Sequence, residues 1–287
     1  MAYKRINDSY VNGCRKEYIC DTDADFANLP EACTGSSAVS LESGKVYVVS
    51  TFGNWIPFGE GYVEKDPNAP LPAGLYVDGV MTASWDELVA NGTITVEDNV
   101  ITGSNTDALV GELVIAGGIT EIADEGLREC ELLTGVVIPN GVTSIGDHAL
   151  AWSRALKKVT IPDSVTNIGG SAFTMCPQLE SIVIPDSVTI LDEMLLEGCG
   201  SLVSVTMGNS VESIGDCCFG DCSQLVSIVI PDSLTVIYDN AFVNCASLTN
   251  ITFDGTMAEW NTIELCDGWN SGVPATYVTC TDGTVAL

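Results

Sequence analysis

Asp21, Asp23 and Asp25 alternate as the leading carboxylates of a calcium loop do. Such a loop also needs glycine at its sixth position and a bidentate glutamate at its twelfth. Phe26 and Ala32 stand there instead, so the sequence predicts no metal site. Nucleophilic chemistry is no better supplied. His148 is the only histidine, so no Ser/His/Asp or Cys/His set can be assembled without an unusual base. It shares a 23-residue register with Glu125, Ser171, Met194, Cys217 and Asn240, a mixture that reads as a tolerant, solvent-facing slot. Gly117-Gly118 and Gly169-Gly170 read as turns of a repeat rather than phosphate-cradling loops. Carboxylates at glycosidase separations follow from the count of 39 acids alone, and so argue for nothing. The expectation is a chain with no catalytic residue, no cofactor and no metal.

The twelve cysteines lead to the elements themselves. Cys130, Cys176, Cys199, Cys222 and Cys245 fall in one register of a 23-residue period, with Ser153 in the remaining place. That is the wrong arithmetic for zinc, which wants ligands paired two to four residues apart. Core thiols are expected, and Cys176, Cys199, Cys222 and Cys245 should be reduced, buried and stacked at the strand spacing of about 4.8 Å. The same period runs from Val114 to Phe253 without insertion or deletion. It gives apolar columns at Ile115, Ile138, Ile161, Ile184, Met207, Ile230 and Phe253 and at Leu133, Leu156, Leu179, Leu202, Leu225 and Leu248. One unit of that length cannot bury its own apolar face, so the units must stack into a solenoid.

Within a unit, Val159-Thr-Ile161 alternates like a strand, Pro162-Asp-Ser164 turns, and Val165 to Ile168 forms a second short strand. Gly169-Gly170 then breaks the strand, and Ser171 to Cys176 is expected to make one helical or 3₁₀ turn that drops Phe173 and Cys176 inward. On the first strand the side chain between two buried positions must point outward. That column reads Val137, Thr160, Val183, Thr206, Val229 and Thr252. With Ser181, Ser204, Ser227 and Asn250 beside it, and Lys158 the one charged neighbour, it forms an uncharged strip and the candidate interaction face.

The pattern I-P-x-S-V-T-x-I-G-x-x-A-F-x-x-C-x-x-L-x-x-V resembles the BspA-like class of leucine-rich repeats. Ile161 to Ile182 and Ile230 to Ile251 fit it almost letter for letter. The resemblance implies a mainly β fold with short helical turns: a solenoid of 23-residue repeats preceded by a small β-rich module. The segment from Ile251 through Trp260, Trp269 and Cys280-Thr-Asp-Gly283 is similar to the closing part of such arrays.

Charge narrows the partners. Ten basic against 39 acidic residues give −29, which repels nucleic acid and anionic lipid. Lys4, Arg5, Arg15 and Lys16 sit together in a basic N-terminal end, a docking signature on an acidic body. No apolar run follows the first residues as in a signal peptide, and no 18-residue apolar span occurs, so neither conventional export nor a membrane span is expected.

Residues 1–62 lack the repeat. Ala38 to Leu41, Lys45 to Ser50 and Trp55-Ile56 read as a three-stranded meander, after a short helical turn over Asp23 to Leu29. Asp21-Thr22, Asp25-Phe26, Leu29-Pro30, Gly35-Ser36, Ala38, Val46-Tyr47, Gly53 and Trp55 resemble the N-terminal part of virion proteins of tailed phages. That resemblance implies attachment to a particle through residues 1–62, with the C-terminal part projecting. The expected order is attachment module 1–62, linker 63–77, N-terminal cap 78–113, solenoid 114–253 and C-terminal cap 254–287. Ser84-Trp-Asp-Glu87 opens a short cap helix, followed by a hairpin over Thr93 to Val96 and Val100 to Thr102. The functional expectation is a non-enzymatic virion component, a head fibre or decoration protein. Its partners would be a capsid or other virion protein through the N-terminal module and a host-surface or mucosal protein or glycan through the solenoid, with a trimer by analogy to phage fibres. The alternative is a bacterial surface adhesin that binds host or matrix glycoproteins.

Overall fold

The computed structural model of the chain describes residues 71–287 throughout and, before them, the backbone of five strands. The chain divides into two compact units, Met1–Leu71 and Pro72–Leu287.

In the first unit, Tyr3–Asn7, Glu17–Cys20, Ser37–Ser40, Val46–Val49 and Trp55–Phe58 form one sheet in chain order. The last three make the expected antiparallel meander, with Tyr47 opposite Ala38 on one side and Pro57 on the other. Tyr3–Asn7 and Glu17–Cys20 go beyond the expected three strands, and the latter runs parallel to Ser37–Ser40. Runs of five and four residues are too short for alternation to separate them from loop. Lys4 and Arg5 fall on the first strand. Arg15, Lys16, the Asp21 to Asp25 stretch and the turn over Asp23 to Leu29 lie outside the described residues.

The second unit begins earlier than expected. Gly74–Val77, assigned to the linker by sequence, pairs antiparallel with both Val80–Ser84 and Gly111–Val114. The joining residues Asp78 and Gly79 have φ of 51° and 76°, the two left-handed positions that a tight hairpin requires. The helix Trp85–Ala90 is capped as its sequence demands: the Ser84 hydroxyl accepts from the Glu87 N–H, and the Glu87 carboxylate accepts from the Ser84 N–H at 2.8 Å. The hairpin Ile94–Glu97 and Val100–Ser104 follows. Its second strand pairs parallel with Glu121–Ile122, so the cap supplies a template to each sheet: Gly74–Val77 to the first and Val100–Ser104 to the second.

Each coil then adds one strand on each of two sides at the repeat period, so Ser181, Ile182 and Val183 lie against Ser204, Val205 and Thr206. The second-strand ladder parts between Asn167–Ile168 and Ile190–Leu191, and the first-strand ladder between Ser204–Thr206 and Ser227–Ile230. The columns read from sequence are the core, with Leu133, Leu156, Leu179, Leu202, Leu225 and Leu248 fully buried. The serine of each Pro-Asp-Ser turn is explained by the stacking: Ser164, Ser187 and Ser233 donate to the carbonyls of Val142, Val165 and Val211 in the preceding coil. Phe219 and Phe242 stack with centroids 5.0 Å apart, and Trp269 meets Phe242 edge-on at 6.1 Å to close the column. The C-terminal cap adds the helix Met257–Trp260 and the hairpin Tyr277–Cys280 with Gly283–Ala286.

The third side of the coil buries Phe173 and Cys176 as expected and keeps single i→i−3 bonds of the 3₁₀ kind, but it is not a continuous helical or 3₁₀ turn over Ser171 to Cys176. Ser171, Phe173 and Met175 donate their N–H groups to Glu193, Leu195 and Glu197 of the next coil, while Ala172 and Thr174 donate back to Gly169 and Ser171. Turning alternate N–H groups outward requires left-handed residues. Glu125 and Glu129, His148 and Trp152, Ser171 and Met175, Cys217 and Asp221, and Asn240 and Asn244 all have φ between 51° and 64°. A helix would direct those donors within its own coil and lose the bonds between coils. Close stacking also dictates glycine at the preceding corner: a Cβ on Gly146 would lie 2.5 Å from the Asp124 nitrogen, and one on Gly169 2.7 Å from that of Asp147.

Candidate interaction face

The outward column lies where its alternation sends it. Val183 is 58% exposed and Val229 49%, Thr160 and Thr206 are exposed, and Val137 and Thr252 are half-buried. Ser181, Ser204, Ser227 and Asn250 are exposed beside them. Lys158 is held by Glu112, Nζ to Oε1 2.6 Å, which neutralises the one charge of the strip.

Two further exposed residues flank this face and were not singled out by sequence. Val203 and Val226, 54% and 47% exposed, sit immediately before the strands Ser204–Thr206 and Ser227–Ile230. Their column runs Thr134, Lys157, Glu180, Val203, Val226 and Thr249, so its change from charged to apolar was the available signal. With Val183 and Val229 they make four exposed valines over neighbouring coils.

The sheet is not continuous beneath them. Ser204–Thr206 and Ser227–Ile230 are successive first strands, yet they belong to different sheets. Thr206, Met207, Val229, Pro231 and Asp254 line the cleft between them. Met207 is part-exposed there, whereas its column mates Ile184 and Ile230 are buried. The local sequence differs at the opening. Met207-Gly208-Asn209 replaces the Ile-Pro-Asp of Ile184 to Asp186 and Ile230 to Asp232. A Cβ on Gly208 would lie 2.5 Å from the Pro185 carbonyl oxygen, and the Asn209 N–H donates to Asp186 Oδ1 at 2.7 Å. Lacking a side chain, the corner sits tightly against the preceding coil.

Charge around the cleft is of one sign. In the second unit the cations are Arg128, Arg154, Lys157 and Lys158. Arg128 pairs with Glu125 at 2.7 Å and Arg154 with Glu131 at 3.2 Å. From Val159 to Leu287 there are 16 Asp and Glu and no Lys, Arg or His.

The residues that chemistry would recruit are occupied otherwise. His148 is half-buried at φ 55°, so its column is defined by a left-handed backbone rather than only by tolerance of side chains. The Sγ atoms of Cys176, Cys199, Cys222 and Cys245 donate to the carbonyls of Leu150, Phe173, Leu196 and Phe219, at 3.4, 3.3, 3.3 and 3.0 Å. All four are free and buried. Burial pushes the Cys176 and Cys245 thiols up to about 12 and those of Cys199 and Cys222 well above their ordinary range. A thiol so held supplies no thiolate near neutral pH. Among the described residues no group of three His, Cys, Asp or Glu is arranged to hold a metal, and no helix is long and apolar enough to cross a membrane.

The description "BspA type leucine rich repeat region" fits residues 120–249 in six copies. The match falls on the stacked coils described above. No curated protein matches the chain. Among solved structures, a leucine-rich repeat protein from T. pallidum is similar at 27% identity and a TM-score of 0.54, over 61% of this chain and 80% of that one. One from Eubacterium ventriosum is similar at 25% identity and a TM-score of 0.56, over 64% of this chain. The likeness spans 50% of the Eubacterium protein's length. In the matched region the Leu, Cys and Phe columns form the core, and the outward column of the first strands is exposed or half-buried.

Proposed function

We propose that the chain is a non-catalytic binding protein whose BspA-type region presents the outward face of its first strands to a macromolecular partner. The observation that carries this reading is the neutral strip from Val137 to Thr252 on a chain of −29. A surface that excluded other macromolecules would gain from charge along its whole length. An uncharged strip with half-exposed valines marks a contact that charge would oppose. The bland account, β propensity alone, explains the β-branched residues on the strands but not Val203 and Val226, which precede them. Replacing Val183 and Thr206 together with Lys should leave the circular dichroism spectrum unchanged and abolish binding to the natural surface. Undiminished binding would move the interface elsewhere.

The finer reading is a phage virion component, a head fibre or decoration protein. It docks to a capsid or other virion protein through residues 1–62, with Lys4, Arg5, Arg15 and Lys16 against an acidic or carbonyl-rich neighbour, and it assembles as a trimer. The motif resemblance of residues 21–55 and the basic N-terminal end support it. Charge reversal at Arg5 and Arg15 should lower occupancy on purified particles and make attachment salt-sensitive. Absence of the protein from such particles rejects this reading. A bacterial surface adhesin is the second reading, supported by the BspA-type repeats of residues 120–249. Its mark is release of the protein by protease treatment of intact cells.

A further inference from the structure

The cleft between Ser204–Thr206 and Ser227–Ile230 differs from every other junction along the strip in combining an interrupted ladder, a part-exposed core methionine and exposed valines on both sides. We propose that it receives an extended polypeptide segment of alternating apolar and basic residues. The inference rests on the reading of this face as a binding surface and names its partner's chemistry.

Three observations select that occupant. The cleft opens between two successive first strands that are not paired with each other, so a segment laid along them is extended, and alternate side chains point down. Down is apolar: Met207 forms part of the floor, with Val229 and Pro231 at its wall. The surroundings are anionic without relief, since Asp254 lines the cleft and no cation occurs anywhere after Lys158. Asp254 is the one charge at the lining and the coils that form the cleft carry no cation, so a basic segment is attracted where an acidic one is repelled. The same charge argument disfavours a second copy set face to face, which would oppose two cation-free halves.

The test uses the full chain and three labelled peptides: alternating Val-Lys, alternating Val-Glu and alternating Ser-Lys, followed by fluorescence anisotropy. Val-Lys should bind, Val-Glu should not, and Ser-Lys should bind about tenfold more weakly or worse, because it has no apolar side chain to seat. Val229→Lys should weaken Val-Lys binding by about tenfold or more, while Ile190→Lys, at an exposed second-strand position outside the strip, should leave it unchanged. If Val229→Lys lowers the thermal midpoint, Thr206→Arg at an exposed position replaces it with the same expectation. Equal binding of Val-Lys and Ser-Lys would reduce the effect to general electrostatics and overturn the proposal, as would insensitivity to both cleft variants. Self-association of the full chain that Val229→Lys abolishes would also overturn it, in favour of a second copy. Loss of natural-surface binding in the Val183/Thr206 double variant, together with no Val-Lys binding, would reject this occupant and leave the broader reading standing.

Discussion

Cys245 donates its S–H to the carbonyl oxygen of Phe219 at 3.0 Å, across 26 residues of sequence and one coil of structure. Cys222 does the same to Leu196, Cys199 to Phe173 and Cys176 to Leu150. The third side of each coil turns alternate N–H groups toward its neighbour and leaves a carbonyl facing the core, where a small, apolar group with one donor is the best partner. Cysteine combines burial with that donor.

Truncation should therefore cost more than the lost sulfur. Cys199→Ala removes a buried side chain and leaves the Phe173 carbonyl without its thiol partner, for a loss of about 1–3 kcal/mol. Urea denaturation checks the value. Native-state alkylation should leave Cys176, Cys199, Cys222 and Cys245 unmodified, with quantitative labelling only after unfolding.

Ser153 is the converse case. It occupies the same register, is fully buried, and its Oγ has no hydrogen-bond partner. A longer C–S bond reaches toward the equivalent carbonyl, that of Leu127, so Ser153→Cys should stabilise the chain by about 1 kcal/mol. A fall in the denaturation midpoint would show that the serine is satisfied in some other way.

The raised thiols set an alkaline limit on stability. Burial lifts Cys176 and Cys245 from an ordinary value near 9 to about 12, so above pH 9 the unfolded chain releases protons that the folded chain retains. The stability these thiols contribute is complete below pH 9 and is lost as pH rises toward 12. Urea midpoints at pH 8 and pH 10 should fall in that order, and Cys176→Ala together with Cys245→Ala should flatten the slope.

The corner glycines should tolerate no side chain. Gly146→Ala and Gly169→Ala each force a Cβ against backbone of the preceding coil, at a cost of about 1–3 kcal/mol. Gly208→Ala should be destabilising for the same reason, with Pro185 as the obstacle. By forcing that corner back toward the next coil it should also narrow the cleft, which slower quenching of a label at Thr206→Cys would report.

The capping boxes act at the acid end. Hydrogen bonds from the Ser84 backbone and then its hydroxyl hold the Glu87 carboxyl below its ordinary range, and Thr256 does the same for Glu259. Carboxyls depressed on folding contribute stability that is present above the unfolded value and lost as pH falls through the folded one. Glu87→Gln should remove that acid-limb contribution without moving the midpoint at pH 7 by more than about 1 kcal/mol. Thermal scans from pH 7 to pH 3 measure both.

The sequence by itself determined whatever repeats. A 23-residue register without gaps names the buried columns, the outward strip and the cysteine ladder, because a solenoid makes every coil's environment a translation of the last. Asp78-Gly79 was equally legible as a hairpin turn and would have moved the cap's first strand to Gly74–Val77. Only the tertiary structure decided where translation fails. The left-handed residues of the third side depend on donors and acceptors a whole coil apart, which no local pattern reports. The parting of Ser204–Thr206 from Ser227–Ile230 accompanies the close approach of Gly208 to Pro185. Residue type within a column fixes which side chain is buried, whereas the gap between columns is fixed by backbone contacts that appear only once the coils are stacked.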